Sequence, residues 1–355
     1  MHILHTESSN GWGGQEIRIL KESIGLRERG HDIIFAIVRG GKLIDHARKE
    51  GFTVYEIDFR RPAAFSALRN LLRIIRAHKI DIVNTHSSLD AWLGGIAARV
   101  GRCKVIRTRH LSTDVRGGLN AFLLYRGLAD FVVTTSSGII PKIAKLAGLP
   151  LARFQCIPTG VEPFQVDPKE VQEFREKLGV KPHDILIGTV CVVRSWKGIQ
   201  DLIEAARLLK AHPHLKWVVV GGGYLDNFRH LVDETTPLTF TGHLDKPYAA
   251  IGALDIFTLL STAHEGISQA SLQAAYLKKP LITTTIGGLP EVCLDGITGL
   301  QVPPSSPEKV TEAVLRLASD ARLREAYGEA AHKLVEDKFT LKHTLDQMEH
   351  VLLNC

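Results

Sequence analysis

The residues best suited to chemistry in the later half of the chain are two cations and a carboxylate that follow apolar runs. Arg194 comes directly after VCVV, Lys197 follows three residues later, and Glu265 stands in the loop that follows IFTLLS. Two cations at a strand end can neutralise a diphosphate, and a carboxylate accepts hydrogen bonds from sugar hydroxyls. These residue types predict a site for a phosphorylated, hydroxyl-rich ligand, with the three side chains at its reacting end.

Gly266, Ile267 and Ser268 lead from this loop into a helical pattern that begins near Ser268 and carries Gln273. The first turn of a helix has unpaired N–H groups and a positive dipole end. We therefore expect these residues to cradle the diphosphate or sugar hydroxyls of the same ligand. Gly242, near the end of the strand pattern LTFTGH, is assigned to the same binding set.

In the first half, the loop GWGGQE follows the first strand pattern and opens the first helical one, placing Gly13, Gly14 and Glu16 at a helix start. Glycines there allow the backbone to approach a ligand, but the spacing is not G-x-G-x-x-G, so the NAD fingerprint is not satisfied. His86 and His110 each end a strand pattern and are expected to face a ligand. A purely structural role is the alternative for each histidine.

Short β-branched apolar runs alternate with segments of helical period throughout the chain, which predicts a βαβ series with a parallel sheet. We expect two Rossmann-like, doubly wound α/β domains, 1–164 and 165–355, facing each other across a cleft. The proline-rich segment Ile157–Pro182 is the expected hinge. For the last helix, about 340–355, two packing partners are possible: its own domain or, by packing back, the first domain.

Composition narrows the class of protein. Five cysteines lack metal-ligand spacing, and no signal peptide or 20-residue apolar run is found, so we expect a cytoplasmic protein without a metal. The first 164 residues hold 24 Lys/Arg against 14 Asp/Glu. Such a basic half attracts phosphate groups, anionic lipid or nucleic acid. Arg69, Arg73 and Arg76 fall on one face of a helical pattern, which suggests peripheral contact with an anionic membrane, and a solvated basic face is the alternative.

The window from residue 259 to 304 resembles the C-terminal signature of the retaining, family-four glycosyltransferases of GT-B fold. The matching positions are Glu265, Gly266, Ala274, Pro280, Gly287, Gly288, Pro290, Glu291, Asp295, Gly296, Thr298 and Gly299. Gln273 stands where the family has a second Glu that holds the nucleotide ribose. An amide can still accept a hydrogen bond but carries no charge, so nucleotide affinity is expected to differ.

Other elements are similar to the same family. RSWKG resembles its R-L-x-x-x-K-G element, which implies phosphate binding by Lys197, while Val192 stands where relatives often have Arg. GWGGQE resembles its first glycine loop. The resemblance implies that His110 contacts the donor sugar, and that His86 and Glu16 lie on the acceptor side.

The resemblance therefore implies transfer of a sugar from a nucleoside-diphosphate sugar to a carbohydrate or lipid-linked acceptor, with retention of configuration. No metal is expected, since no D-x-D stands in either half. Beside the nucleotide-sugar substrate, no cofactor and no nucleic-acid partner are expected. The C-terminal domain would bind the donor, and polysaccharide, lipopolysaccharide or glycolipid synthesis is the expected setting. Two alternatives are a sugar-nucleotide epimerase of similar fold and a catalytically silent sugar-nucleotide-binding protein.

Overall fold

The structure, a computed structural model, describes residues 1–110, 115, 117–233 and 235–355. The chain divides into two compact units. The first unit comprises Met1–Gly160 together with Leu341–Cys355, and the second comprises Val161–Thr340.

The first unit alternates strands and helices. Its elements in chain order are β1 (His2–Glu7), α1 (Gly14–Glu28), β2 (Asp32–Val38), α2 (Leu43–Lys49), β3 (Thr53–Ile57), α3 (Ala64–Ala77), β4 (Ile82–Thr85), α4 (Ser88–Gly101), β5 (Lys104–Arg109), α5 (Leu119–Ala121, continued by a π-helix over Phe122–Leu128), β6 (Phe131–Thr134), α6 (Ile140–Ala147) and β7 (Phe154–Cys156). The strands form one parallel sheet in the order β3-β2-β1-β4-β5-β6-β7. The strand order reverses between β1 and β4, and doubly wound sheets bind ligands at the carboxyl ends of such strands.

The second unit repeats this plan. Its elements are α7 (Pro168–Lys177), β8 (Ile185–Val190), α8 (Ile199–Leu208), β9 (Leu215–Val220), α9 (Asp226–Arg229), β10 (Leu238–Gly242), α10 (Tyr248–Ala253), β11 (Ile256–Leu259), α11 (Gln269–Tyr276), β12 (Leu281–Thr284), β13 (Gly299–Val302), α12 (Pro307–Ser319) and α13 (Ala321–Lys338). The strands form a parallel sheet in the order β10-β9-β8-β11-β12-β13. Its switch point lies between β8 and β11.

Both sheets are covered on two faces, which the alternation of side chains along each strand makes possible. In β2, Ile33 and Phe35 belong to one hydrophobic cluster, while Ile34 and Ala36 belong to the cluster on the opposite face. The strands consequently read as near-continuous apolar runs. This burial on two sides fixes the register of the strands and hence the positions of the residues at their ends.

The last helix, α14 (Leu341–Asn354), packs on the first unit. Leu345, Met348, Val351 and Leu352 are buried in the same cluster as residues of α1 and β2. Burial of each such side chain contributes roughly 1.5–3 kcal/mol. Arg29 at the end of α1 also donates hydrogen bonds to α14 carboxylates, at 2.7 and 2.8 Å. The sequence left the partner of this helix open, and its packing assigns it to the first unit.

The division between the units falls before Val161 rather than after residue 164. Val161 is buried, its N–H donates to the Phe339 carbonyl at 2.8 Å, and it bridges to Thr340. The hinge expected over Ile157–Pro182 is wrong in its later part, because α7 lies within it. Pro168 occupies the first turn of α7, where no N–H is needed, and the Asp167 side chain accepts from the Lys169 N–H.

Candidate functional site

The structure brings Lys197 and Glu265 into direct contact at the switch point of the second sheet. Lys197 lies in the loop between β8 and α8, and Glu265 in the loop between β11 and α11. These loops meet because β8 and β11 are neighbouring parallel strands. The Lys197 ammonium forms an ion pair with Oε1 of Glu265, and Ser261 donates its hydroxyl to the same oxygen at 2.7 Å. The Glu265 side chain is 6% exposed and that of Lys197 17%, so the pair is mostly shielded from solvent.

Glycines explain how the Glu265 loop is held in place. A Cβ on Gly287 would lie 1.8 Å from the Glu265 carbonyl oxygen, and one on Gly288 would lie 2.8 Å from Ile267 N. Gly198, at φ +66°, approaches the Leu260 carbonyl as closely from the other loop. Only residues without a Cβ permit these backbone contacts. The paired glycines of the sequence signature are therefore packing positions that fix the carboxylate.

Gly266, Ile267 and Ser268 connect Glu265 to α11. Ser268 is the N-cap, and its hydroxyl accepts from the Ser271 N–H at 3.3 Å. The remaining N–H groups of this first turn lie next to the ion pair in sequence, which suits an anion. Gln273 lies farther along α11 and is half-buried.

Arg194 shares a turn with Lys197, since the Lys197 N–H donates to the Arg194 carbonyl at 3.1 Å. Its guanidinium, however, lies over the Tyr224 ring, 4.9 Å from the centroid. Gly242 ends β10 at φ +78°, and its carbonyl accepts from the Gly221 N–H. The structure thus joins Lys197 with Glu265. The Arg194 side chain leaves the same loop toward Tyr224, and Gly242 belongs to a neighbouring loop of the same sheet edge.

The first unit holds a chain of three histidines at the carboxyl edge of its sheet. Nδ1 of His5 lies 2.8 Å from Nε2 of His86, and Nδ1 of His86 lies 2.9 Å from Nε2 of His110. His86 follows β4 and His110 follows β5, as their patterns predict, while His5 lies within β1. Burial lowers the pKa of His5 to about 3. Burial and the neighbouring charges also hold the pKa of His86 and of His110 well below the usual histidine value.

Two carboxylates beside these histidines were not predicted as site residues. Asp90 of α4 accepts the backbone N–H of His86 at 2.8 Å and the Ser8 hydroxyl at 2.8 Å. Glu7, at the end of β1, accepts from Ser9 N and from the Gln15 and Ser87 side chains. Burial, reinforced by the charge of Asp90, raises the pKa of Glu7 to about 7. A polar residue at the carboxyl end of β1 was the available signal for Glu7.

Gly13 and Gly14 open α1, and Glu16 is buried in its first turn. The Glu16 carboxylate accepts the Gly13 N–H at 2.9 Å, which is a helix-capping contact. The acceptor-side role expected for Glu16 stays a prediction.

A cavity of about 470 Å³ lies at the opposite edge of the first sheet, next to the residues that begin its strands, His2, Asp32 and Thr53. None of the site residues described above lines it. Among the described residues, no group of three or more His, Cys, Asp or Glu is placed to hold a metal ion. No described helix is both long enough and apolar enough to span a bilayer.

Two family models match the chain. The model described as Glycosyltransferase Family 4 covers residues 12–164, and the model described as Glycosyl transferases group 1 covers residues 170–334. The capsular polysaccharide biosynthesis glycosyltransferase CapM of Staphylococcus aureus is 27% identical over 313 residues, which is 81% of this chain and 81% of CapM.

Two solved structures match this chain over its full length. The Anabaena protein Alr3699/HepE in complex with UDP is 18% identical, with a TM-score of 0.88 and 100% of both chains covered. The same protein in complex with UDP-glucose matches with a TM-score of 0.86, again at 18% identity and with 100% of both chains covered. This likeness shows that the fold made of two Rossmann-like domains spans the whole chain.

Proposed function

Because this chain belongs to glycosyltransferase family 4, with the GT-B fold, we propose that it moves a sugar from a nucleoside-diphosphate sugar to an acceptor hydroxyl with retention of configuration. The chain is a glycosyltransferase by its family. The observation that carries the proposal is the shielded ion pair between Lys197 and Glu265 beside the first turn of α11.

Lys197 is suited to the leaving group. An ammonium has three donors, so Lys197 can keep its contact with Glu265 and still donate to two oxygens of a diphosphate. The helix N-terminus after Ser268 adds N–H groups and a positive dipole end for the same charge. Together they would stabilise the negative charge that develops as the bond between sugar and diphosphate breaks.

Glu265 is suited to the sugar. Its Oε1 already accepts from Lys197 and Ser261, whereas Oε2 accepts from none of the described residues. A carboxylate oxygen with spare acceptor capacity can accept a hydrogen bond from a sugar hydroxyl. Retention then requires attack from the face that the diphosphate leaves, and a leaving phosphate oxygen can take the acceptor proton.

A uridine nucleotide is the donor we propose to test first, since UDP and UDP-glucose are named in the complexes of the similar Anabaena protein. For the acceptor we propose a carbohydrate or lipid-linked sugar, in line with the polysaccharide pathway named for CapM. No metal or cofactor is part of this proposal.

We further propose that α3 rests on an anionic membrane surface. Arg69, Arg73 and Arg76 are exposed along it, Phe65 is 82% exposed, and Ala64–Ala77 contains no Asp or Glu. Basic side chains beside an exposed aromatic favour binding to anionic head groups. Flotation with phosphatidylglycerol vesicles should fall when the three arginines are replaced by Glu. Equal flotation of the triple variant and the parent would contradict this contact.

The transfer itself is tested by incubating the full chain with UDP-glucose and other nucleotide sugars, with and without sugar acceptors. We expect nucleotide release that depends on an acceptor, and a product whose anomeric configuration by NMR equals that of the donor. Isomerisation of the donor without an acceptor would instead indicate an epimerase. Binding of a nucleotide sugar without turnover on any acceptor would indicate a silent binding protein.

A further inference from the structure

The three histidines form a continuous hydrogen-bonded line from the interior of β1 to the end of β5, at the carboxyl edge of the first sheet. His5 and His86 lie edge to edge, with ring centroids 5.1 Å apart and planes within 6°. His86 and His110 have the same centroid separation, with planes 35° apart. His5 is 1% exposed and His86 3% exposed, while His110 is half-buried. The rings are therefore placed to form N–H···N hydrogen bonds with one another.

All three rings are neutral near pH 7. Burial is the main cause of their lowered pKa values, and the cations Arg18 and Arg107, which also act on His86 and His110, lower these further. Both arginines are themselves buried. A neutral imidazole has one N–H and one lone pair, so His86 must donate to one neighbour and accept from the other.

The two hydrogen bonds between the three rings must therefore point the same way, which leaves only two possible directions. In the outward direction, His5 Nδ1–H donates to His86, and His86 Nδ1–H donates to His110, whose proton must sit on Nδ1. In the inward direction, both bonds reverse and the proton of His5 sits on Nε2. That His5 Nε2 atom is buried and has no partner among the described residues. Either direction leaves one buried N–H without an acceptor among the described residues, on Nε2 of His5 or on Nδ1 of His110. His5 is 1% exposed within β1, whereas His110 is half-buried at the end of β5, where a ligand can supply the acceptor, and this difference favours the outward direction.

The outer end of the line also lacks a partner. Nδ1 of His110 is buried and bonded to none of the described residues. In the outward direction this atom carries an N–H whose hydrogen bond is unmade, and a buried donor without an acceptor is unfavourable. An oxygen of a ligand could fill this role.

We propose that His5 is a positioning residue that, through His86, fixes His110 as the Nδ1–H tautomer and so gives the site a hydrogen-bond donor for an oxygen of the donor sugar. The identity of the ligand in this proposal rests on the proposed function. The assignment of the His110 tautomer does not depend on that function. His86 accordingly transmits the direction of the line rather than meeting an acceptor substrate.

The tautomer is measured by long-range ¹H–¹⁵N NMR on the full chain labelled at histidine. We expect His5, His86 and His110 all to carry their proton on Nδ1. A proton on Nε2 of His110 in the wild type would overturn the proposal without any variant. In His5→Phe, which removes the first donor, we expect His110 to become a mixture of tautomers or to switch. The control is His31→Phe, which removes a buried histidine that bonds Glu349 of α14 at 3.1 Å and should leave His110 unchanged.

Calorimetry with UDP and UDP-glucose then tests the link to the ligand. We expect His5→Phe to weaken UDP-glucose binding about tenfold and UDP binding less than twofold, because His110 acts on the sugar. Equal losses for both ligands, or none, would overturn the positioning role. If neither ligand binds the wild type, the uridine donor named in the proposed function fails, and the NMR result still decides the tautomer.

Discussion

Gly287 lies against the carbonyl oxygen of Glu265 so closely that a Cβ on it would be 1.8 Å away. Two loops that are distant in sequence are joined at this point, and the second of them fixes the position of the candidate carboxylate. The glycine pair is thus part of the site although it offers no side chain to a ligand.

Replacing Gly287 by Ala should therefore damage both stability and the site. The backbone at φ +59° is strained for Ala, and the methyl group overlaps the loop, so we expect a loss of about 3 kcal/mol or more in unfolding free energy. Gly296→Ala is the matched control, since Gly296 has φ +69° but no atom within 4 Å. Denaturant unfolding should give a loss of only about 1–2 kcal/mol for the control. Similar losses in the two variants would contradict the packing role.

Gln273→Glu should raise the affinity for a nucleotide. Hydrogen bonds to a charged acceptor are roughly twice as strong as those to a neutral one, so an added carboxylate that meets ribose hydroxyls should tighten UDP binding about fivefold by calorimetry. Gln273→Ala should weaken it. Identical dissociation constants for UDP in the three proteins would rule out a ribose contact at this position.

His5 should make the fold sensitive to acid. Its folded pKa, about 3, lies below the unfolded value of 6.5, so the unfolded chain binds more protons between these values and stability falls as the pH falls through this window. Relative to pH 8, the wild type should lose about 2 kcal/mol more than His5→Phe at pH 5. Glu7 titrates in the opposite sense between about 4.5 and 7, but it is present in both proteins and cancels. Parallel pH curves from denaturant unfolding would contradict this account.

Much of the site in the second unit follows from the sequence. Apolar runs that end at Val193 and Ser261 place Lys197 and Glu265 after strands, and right-handed crossovers bring such strand ends to one edge. The ion pair itself forms only because β8 and β11 are adjacent in the sheet, and this strand order is seen in the structure.

The hydrogen-bonded line of His5, His86 and His110 in the first unit could not be predicted from the sequence in the same way. His5 occupies a position in β1 that alternation assigns to the sheet interior, and 81 residues separate it from His86. Only the parallel pairing of β1 with β4 brings these rings together. The packing of α14 is hidden for the same reason, because Arg29 and Asp346 are 317 residues apart.

Lys197→Ala tests the central claim most directly, since it removes the cation assigned to the leaving diphosphate and leaves the α11 turn in place. We expect kcat for sugar transfer to fall at least a hundredfold, with a folded protein by circular dichroism. Lys309→Ala, which removes an exposed lysine paired with Glu312 in α12, should stay within twofold of the wild type. A folded Lys197→Ala protein that transfers sugar at the wild-type rate would contradict the account.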